Sequence, residues 1–491
     1  MHHLVAISDI HLSEVEPGTG LWMRYRQKEY APGVEIAEML GELLERVRGD
    51  ELTLVLNGDV FDFDAPRVRD GQSEHHDLPR DAEHAVPAVR AILRDHPELV
   101  RGLARVVAEG HKLVFVSGNH DAHLTLPEVR DAVRDTLVRA AEGLAGDGVR
   151  RDELARRIEL YAWFYRTAEG VVFEHGHQYD SFCCFRYPMA PYGKREGLIQ
   201  PTLGSLSSRL YMGRLGYFNP HVDASFTLSA AGHLRHWARY YMLSRRSQSW
   251  IWLHGALRSL YSLVSHRDPG DPSRHAKNLA AAAAETGAEL REVARHASLF
   301  ASPGEDAIGR CARELWLDRA LVSGAAASFA ALWLVSRRHA FGVLAALGPL
   351  AMTAVELTKP KTSLAETWRY VQRCAREVAK AHGARAVVFG HTHTPEGVWE
   401  GGVFYGNTGS WSAAYRDVEC KVPLFEERPL VWLRATSGAL EGGLCTWKRG
   451  SFRERNGAVE APGEPEVVTS VEPPLDPIAV MPGDLSPATS G

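Results

Sequence analysis

The feature that most constrains the fold of this chain is a set of five short apolar runs, each followed closely by polar side chains. The runs occupy 4–7, 52–56, 112–116, 171–174 and 386–389. Runs of this length, separated by segments in which apolar residues recur at helical spacing, are typical of buried strands in an α/β fold. Because the carboxyl ends of parallel strands lie along one edge of a sheet, we expect the polar side chains that follow the runs to lie close together.

The polar side chains at the ends of these runs are of the kinds that bind metal ions. In chain order they are Asp9 and His11, Asp59, Asn119 and His120, His175, and His391 and His393. Residues two apart on an extended segment point the same way, so Asp9 can act with His11, and His391 with His393.

Without His120 the set offers two carboxylates, four imidazoles and one amide oxygen. Such a mixture of nitrogen and oxygen favours manganese, iron or zinc over calcium or magnesium. Seven donors are too many for one tetrahedral ion, but they suit two ions about 3.5–4 Å apart that share a carboxylate. The sequence therefore predicts a two-metal site.

The ordered blocks SDIHL, NGDVFD, SGNHD, HGH and GHTH resemble the signature of the calcineurin-like metallophosphoesterase superfamily. The resemblance covers about 1–180 and 363–412, including the stretch GNTGSW at 406–411. It implies an α/β fold of four layers, in which two mixed β-sheets are flanked by helices. A large, mostly helical insertion is expected to interrupt this fold.

The resemblance also assigns roles to the polar residues. Asp9, His11 and His393 would bind one metal ion, while Asn119, His175 and His391 would bind the other. Asp59 would bridge the two ions. The implied cofactors are two divalent transition-metal ions, with manganese favoured and iron or zinc as alternatives.

The implied reaction is hydrolysis of a phosphoester or pyrophosphate bond, with a hydroxide that bridges the metals as the nucleophile. His120 would stabilise the substrate phosphate or protonate the leaving oxygen. Asp62, three residues after Asp59, lies where some family members have a carboxylate that orients this histidine. An imidazole held by a carboxylate keeps one tautomer and a higher pKa.

The distance between the fourth and fifth blocks predicts the domain organisation. We expect the first part of the core at 1–180, a helical insertion or lid at 181–362, the second part of the core at 363–458 and a disordered tail at 459–491. The insertion is far too long for a structureless loop. The tail is rich in proline, glycine and serine.

Two stretches of the insertion have an unusual composition. Residues 224–267 contain six arginines, four histidines and many aromatic residues, but no aspartate or glutamate. This pattern suits either a surface for anionic lipid headgroups or phosphates, or a cap helix with arginines that extend into water. Residues 320–355 form two apolar runs around Arg337 and Arg338, each shorter than a usual membrane span. A hairpin of two short spans, a re-entrant element and a buried helical pair all remain open, and we favour a helical hairpin that forms a lid or enters the membrane.

A basic, apolar insertion over a two-metal site favours a phosphorylated small-molecule or lipid-linked substrate. Among its relatives the chain looks most similar to the UDP-2,3-diacylglucosamine hydrolase group, although it has His120 where that group has arginine, and its insertion is longer. A metal-dependent nuclease and a non-catalytic membrane-attached scaffold are the alternatives. The apolar hairpin argues against nucleic acid as the partner.

The overall composition gives only a general indication of the compartment. Six scattered cysteines without a C-x-x-C pair favour a reducing compartment. The start MHHLVAISDIHLS shows no basic segment or cleavage site typical of a signal peptide. We therefore expect a cytoplasmic protein, and the insertion leaves association with a membrane open. The net charge of −5 indicates no particular partner.

Overall fold

A computed structural model describes residues 1–75, 78–146, 148–217, 219, 221, 230–242, 247–358 and 363–454. The predicted disordered tail at 459–491 lies outside the described residues. Parts of the basic, aromatic stretch, at 224–229 and 243–246, also lie outside them. The predicted domain boundaries near 180 and 363 stay a prediction.

The strands of the described residues follow the predicted apolar runs. They are β1 (His2–Ile7), β2 (Glu51–Asn57), β3 (Arg67–Arg69), β4 (Gln72–Glu74), β5 (Lys112–Val116), β6 (Ile158–Tyr161), β7 (Phe164–Arg166), β8 (Val171–Glu174), β9 (Ala386–Phe389), β10 (Glu396–Glu400), β11 (Val403–Asn407), β12 (Arg428–Ala435), β13 (Leu440–Lys448) and β14 (Ser451–Glu454). The five predicted runs fall in β1, β2, β5, β8 and β9.

Most of these strands form two mixed sheets. In the described part of the chain, the larger sheet has the order β14-β13-β12-β1-β2-β5-β6, and the smaller has the order β10-β11-β9-β8-β7. Strands β1, β2, β5 and β6 run parallel to one another, as do β8, β9 and β11. The outer strands β12, β13, β14, β7 and β10 pair antiparallel to their neighbours.

The predicted polar residues therefore follow strands of two sheets, whereas the sequence argument placed them along one sheet edge. Asn57, at the end of β2, connects the two sheets. Its side-chain amide donates to the carbonyl oxygens of Glu174 at 3.0 Å and Val388 at 3.1 Å, at the ends of β8 and β9. The carboxyl ends of the central strands of both sheets thus meet at one place.

Helices cover the sheets and make up most of the insertion. They are α1 (Gly33–Arg46), α2 (Ala82–Asp95), α3 (Pro97–Ala108), α4 (Pro127–Glu142), α5 (Arg151–Arg156), α6 (Leu203–Ser207), α7 (Gly213–Leu215), α8 (Ala230–Tyr240), α9 (Gln248–His266), α10 (Pro272–Thr286), α11 (Leu290–Ala297), α12 (Ile308–Glu314), α13 (Leu317–Ser336), α14 (His339–Thr358) and α15 (Ser363–His382). The α/β class with a large helical region is confirmed.

Helix α1 illustrates how the helices pack on the larger sheet. Ile36, Met39, Leu40 and Leu43 recur at helical spacing, and all four are fully buried. They share a core with Leu54 of β2. A single apolar face thus holds the helix against the sheet, as the spacing predicts.

Part of the insertion packs on the smaller sheet. Val293 of α11 lies in the same apolar cluster as Val378 of α15. His296 of α11 is fully buried, and its Nε2 lies 3.0 Å from the carboxylate of Glu174, at the end of β8. The insertion is therefore joined to the strand that leads directly to the predicted metal ligand His175.

Candidate dimetal centre

The loops that follow β1, β2 and β9 share an unusual backbone conformation. Asp9, His11, Asp59, His391 and His393 all have φ between 50° and 65°, in the left-handed region. Residues other than glycine rarely adopt this backbone region, and strained residues of this kind cluster at functional sites. The sequence-based expectation that Asp9 and His11 lie on an extended segment is therefore wrong. The tight loops themselves orient the two side chains.

Two glycines allow these loops to approach each other closely. A Cβ atom on Gly58 would lie 2.3 Å from Nδ1 of His175, and one on Gly118 would lie 2.2 Å from Oδ1 of Asp59. Any larger residue at either position would displace a predicted metal ligand. Steric contact with these ligands therefore explains why glycine occupies these positions in the blocks NGD and SGN.

Backbone amides of one loop hold the carboxylates of another. The N–H of His391 donates to Oδ2 of Asp9 at 3.1 Å, and the N–H of His120 donates to Oδ1 of Asp59 at 2.7 Å. The N–H of Asp9 in turn donates to the carbonyl of Gly58 at 3.0 Å. These bonds fix the carboxylates before any ligand binds.

The first predicted ligand group comes together as a cluster. Nε2 of His393 lies 3.0 Å from Oδ1 of Asp9 and 3.3 Å from Nε2 of His11. The ligand atoms of the three residues all lie within 4.8 Å of one another, a spacing that a single metal ion can bridge.

The second predicted group lies on the other side of Asp59. Oδ2 of Asp59 is 3.1 Å from Nε2 of His175, and these two residues form a cluster with His391 within the same 4.8 Å limit. The same Oδ2 is 4.0 Å from Nε2 of His11, in the first cluster. Asp59 thus lies between the two groups, as a bridging carboxylate must.

Asn119 provides a test of whether this site suits metal ions. Its side chain is 3% exposed, and its amide oxygen is buried without a hydrogen-bond partner among the described residues. Leaving a buried acceptor unpaired costs about 1–3 kcal/mol. A cation would satisfy this oxygen, and together with the two Asp and His clusters the residues present fit two divalent ions.

The comparisons with known proteins agree with this geometry. Residues 2–201 match the family model described as calcineurin-like phosphoesterase. This part of the chain is therefore similar to calcineurin-like phosphoesterases. A search of the curated proteins finds no match to the chain. The family usually binds two divalent metals, and the match supports phosphoester hydrolysis in general.

His391 and His393 lie beyond the matched range, yet the structure brings them to the matched part of the chain. They follow β9, which pairs in parallel with β8 of the matched part. The site is therefore built from both sides of the insertion.

Hydrogen bonds fix the ring orientation of three predicted ligands. Nδ1 of His175 donates to the carbonyl of Asn57 at 3.0 Å, so its Nε2 is left to face Asp59. Nδ1 of His393 lies 2.7 Å from the carbonyl of His221. His391 differs, because its Nε2 lies 3.2 Å from a carboxylate oxygen of Asp180 and its Nδ1 remains for a metal. Partners of this kind commonly set the tautomer of a metal ligand.

His120, the predicted catalytic residue, lies beside the cluster and contacts two carboxylates. Its Nδ1 is 2.8 Å from Oδ2 of Asp64 and 3.5 Å from Oδ1 of Asp62. The family resemblance implies that Asp62 orients His120, but Asp64 is nearer to the ring of His120. Asp64 was missed, although the alternation of acids in NGDVFDFD offered a signal.

Electrostatic effects on the bridging carboxylate and on His120 are opposite in direction. Burial raises the pKa of Asp59, but the imidazoles of His175 and His120 outweigh burial and hold that pKa well below its usual value. Burial lowers the pKa of His120, but the charge of Asp59 and hydrogen bonds to Asp62 and Asp64 hold it well above the usual value. The site thus favours an ionised carboxylate beside a protonated imidazole.

His221, from the insertion, is a site residue that the sequence argument missed. Its Nε2 lies 2.8 Å from Oδ2 of Asp62. Its ring stacks on that of His11, with centroids 3.7 Å apart and planes at 3°. No motif marks this histidine in the sequence, since it lies far from every strand-end block. The insertion therefore contributes a side chain to the phosphoesterase site.

Proposed function

We propose that the chain is a dimetal-dependent hydrolase of phosphoester or pyrophosphate bonds that acts on a lipid-linked or nucleotide-like substrate. The observation that carries this proposal is the position of Asp59 between the two ligand groups, 3.1 Å from His175 and 4.0 Å from His11. A shared carboxylate is what a pair of ions needs to act on the two oxygens of a phosphoryl displacement.

In this proposal Asp9, His11 and His393 hold one ion, while Asn119, His175 and His391 hold the other. Two divalent ions held by these residues would lower the pKa of a bound water and neutralise charge on the substrate phosphate. Manganese is the proposed metal, with iron or zinc as alternatives.

His120 is the residue of this chain that acts on the leaving group. Its Nδ1 faces Asp64 at 2.8 Å, which leaves Nε2 for the substrate. From there it donates a proton to the oxygen that departs when the phosphorus–oxygen bond breaks. Positioned proton donors of this type contribute about 10²- to 10⁴-fold to the rate.

The substrate class is proposed from the insertion. Its apolar hairpin and the exposed aromatic residues of α9 favour a substrate with a hydrophobic part. Membership in the UDP-2,3-diacylglucosamine hydrolase-like group is part of this proposal, although His120 stands where that group has arginine. A panel of phosphomonoester, nucleotide-sugar diphosphate, glycerophosphodiester and single-stranded DNA would rank these substrates, and rapid cleavage of DNA alone would favour the nuclease alternative.

The proposal is tested with Asp59→Asn in protein loaded with manganese. Loss of the shared charge removes several kcal/mol of stabilisation, which corresponds to a loss of hydrolysis on the order of 10³-fold. Metal analysis should also show fewer than two ions per chain. Asp70→Asn is the matched control, because Asp70 is exposed and has nearly the same φ, 49° against 50°. Full activity and metal content in Asp59→Asn would contradict the proposal.

A further inference from the structure

Helices α13 and α14 form an antiparallel hairpin whose dimensions match those of a bilayer. Each helix has 20 residues, which corresponds to about 30 Å at 1.5 Å per residue, the thickness of a hydrocarbon core. Small residues bring the helices together: a Cβ atom on Gly348 would lie 3.2 Å from Val322, and one on Gly342 would lie 3.4 Å from Trp333. The sequence runs alone predicted segments shorter than a span, but the helices extend beyond them.

The hairpin exposes the side chains that a soluble protein buries. In α13, all of which the structure describes, no side chain is buried. Leu321 is 75% exposed, Val335 87%, Leu347 53% and Leu350 64%. Among the described helices α13 is the one that is long and apolar enough to cross a membrane. A helix that is apolar all round belongs inside a protein core or a membrane, and the exposure of α13 excludes a protein core.

Charges and tryptophans lie at the two ends of the hairpin. No Asp, Glu, Lys or Arg occurs in 320–336 or 340–355, whereas Arg337 and Arg338 form the turn. At the base, Trp316 is 60% exposed and the guanidinium of Arg319 lies 5.3 Å from the centre of its ring. Tryptophan and arginine at both ends of an apolar segment are typical of the two interfaces of a membrane.

Helix α9 presents a second apolar surface beside this base. Its exposed apolar side chains recur on one face of the helix, and they are Trp250, Leu257, Tyr261 and Val264. The side chain of Arg258 is exposed next to them, while Ala256 and Leu263 on the other face belong to the core of the insertion. Nε1 of Trp252 donates to the carbonyl of Leu315 at 3.1 Å, which joins α9 to the chain that enters the hairpin. An amphipathic helix with aromatic and basic residues suits the headgroup layer.

We propose that the α13–α14 hairpin inserts into a lipid bilayer containing anionic lipids, and that α9 lies in the headgroup layer beside it. The partner is therefore a membrane rather than a second copy of the chain or a lid over the site. Only one part of this proposal rests on the proposed function, namely that the attachment brings the enzyme to a lipid-linked substrate. The membrane attachment itself is independent of the proposed function.

The first experiment is vesicle flotation of the full chain and of a variant in which a Gly-Ser linker replaces 320–355. The full chain should float with vesicles of phosphatidylcholine and phosphatidylglycerol and should resist a wash at high salt. The linker variant should stay in solution, melt cooperatively, retain its bound manganese and hydrolyse a water-soluble phosphodiester. Unfolding of this variant would show that the hairpin is part of the core, and a full chain that stays off vesicles would overturn the proposal.

Point variants test the two parts of the surface separately. Leu347→Asp should weaken vesicle binding by more than tenfold, because it places a charge in hydrocarbon. Val34→Asp is the matched control, since Val34 is also 53% exposed but lies on α1 of the domain; its binding should equal that of the wild type. Equal binding of both variants would overturn insertion of the hairpin.

Arg258→Gln should weaken binding to vesicles with phosphatidylglycerol by about fivefold, and should have no effect on phosphatidylcholine alone. Arg90→Gln, an exposed arginine of α2, should have no effect on either. The same result for Arg258→Gln and Arg90→Gln would contradict the placement of α9. Vesicle binding is measured without hydrolysis in every variant, so failure of the membrane proposal is distinguishable from failure of the proposed function.

Discussion

The loops of the candidate metal site and the α13–α14 hairpin depart from the usual distribution of side chains in opposite directions. At the site, the side chains of Asp9 and His175 are fully buried, although carboxylates and imidazoles usually remain near water. In the hairpin, leucines and valines such as Leu350 and Val335 are mostly exposed. Each arrangement is costly in water and would become favourable with its proposed partner, divalent cations in one case and lipid in the other.

The two regions also differ in how the chain assembles them. Asp9 and His393 are 384 positions apart in the numbering, yet their side chains lie 3.0 Å apart. The hairpin is continuous in sequence, and its helices contact each other through residues such as Val322 and Gly348. The site therefore depends on the pairing of distant strands, whereas the hairpin depends on local sequence and its surroundings.

The largest expected effect concerns His120, which is buried and holds no metal ion in the proposal. His120→Ala should lower kcat by about 10²- to 10⁴-fold, because the leaving oxygen loses its proton donor, while manganese content stays unchanged. Steady-state kinetics and metal analysis measure the two effects. The exposed His275→Ala is the control. Loss of one metal ion in His120→Ala would show instead that His120 is a ligand.

A pair of leucine substitutions compares the two regions directly. Leu54→Ala, at a fully buried position of β2, should lower the free energy of unfolding by about 2–5 kcal/mol, because it leaves a cavity. Leu347→Ala, at 53% exposure in the hairpin, should change it by less than about 0.5 kcal/mol. Chemical denaturation in detergent micelles provides the measurement. A large loss of stability in Leu347→Ala would mean that the hairpin is a packed core, which would contradict the difference between the two regions.

The smallest expected effect tests the residue that connects the insertion to the site. His221→Ala should lower kcat by about 10- to 100-fold, because Asp62 loses the imidazole 2.8 Å away. The backbone carbonyl that faces His393 remains in this variant, so both metal ions should be retained. His221→Gln can still donate to Asp62 and should recover part of the activity. Kinetics identical to those of the wild type would mean that the insertion adds nothing to the chemistry.

The sequence predicted the elements that depend on neighbouring residues. Apolar runs with β-branched residues identified the strands that carry the site, and the spacing of Ile36, Met39 and Leu43 identified α1. Polar residues that follow the runs predicted seven metal ligands, and the structure brings six of these residues into two clusters. The absence of charge from 320–336 and 340–355 identified an apolar hairpin.

Other features could not be predicted, because they depend on how distant parts of the chain meet. Asp64 rather than Asp62 is the nearer partner of His120, since only the turn after Asp59 determines which carboxylate faces the ring. His221 reaches His11 across the insertion, and no local pattern records that contact.

By itself, then, the amino-acid sequence determined the strands, the set of potential metal ligands and the apolar character of the hairpin, because each is a property of a short segment. Only the tertiary structure decided that the ligand blocks come from two sheets, that Asp59 lies between two groups and that α13 is exposed. The physical reason is that burial and convergence are properties of pairs of segments. Strand pairing and hydrogen bonds such as those of Asn57 determine burial and convergence, and the sequence of a single segment does not identify its partner.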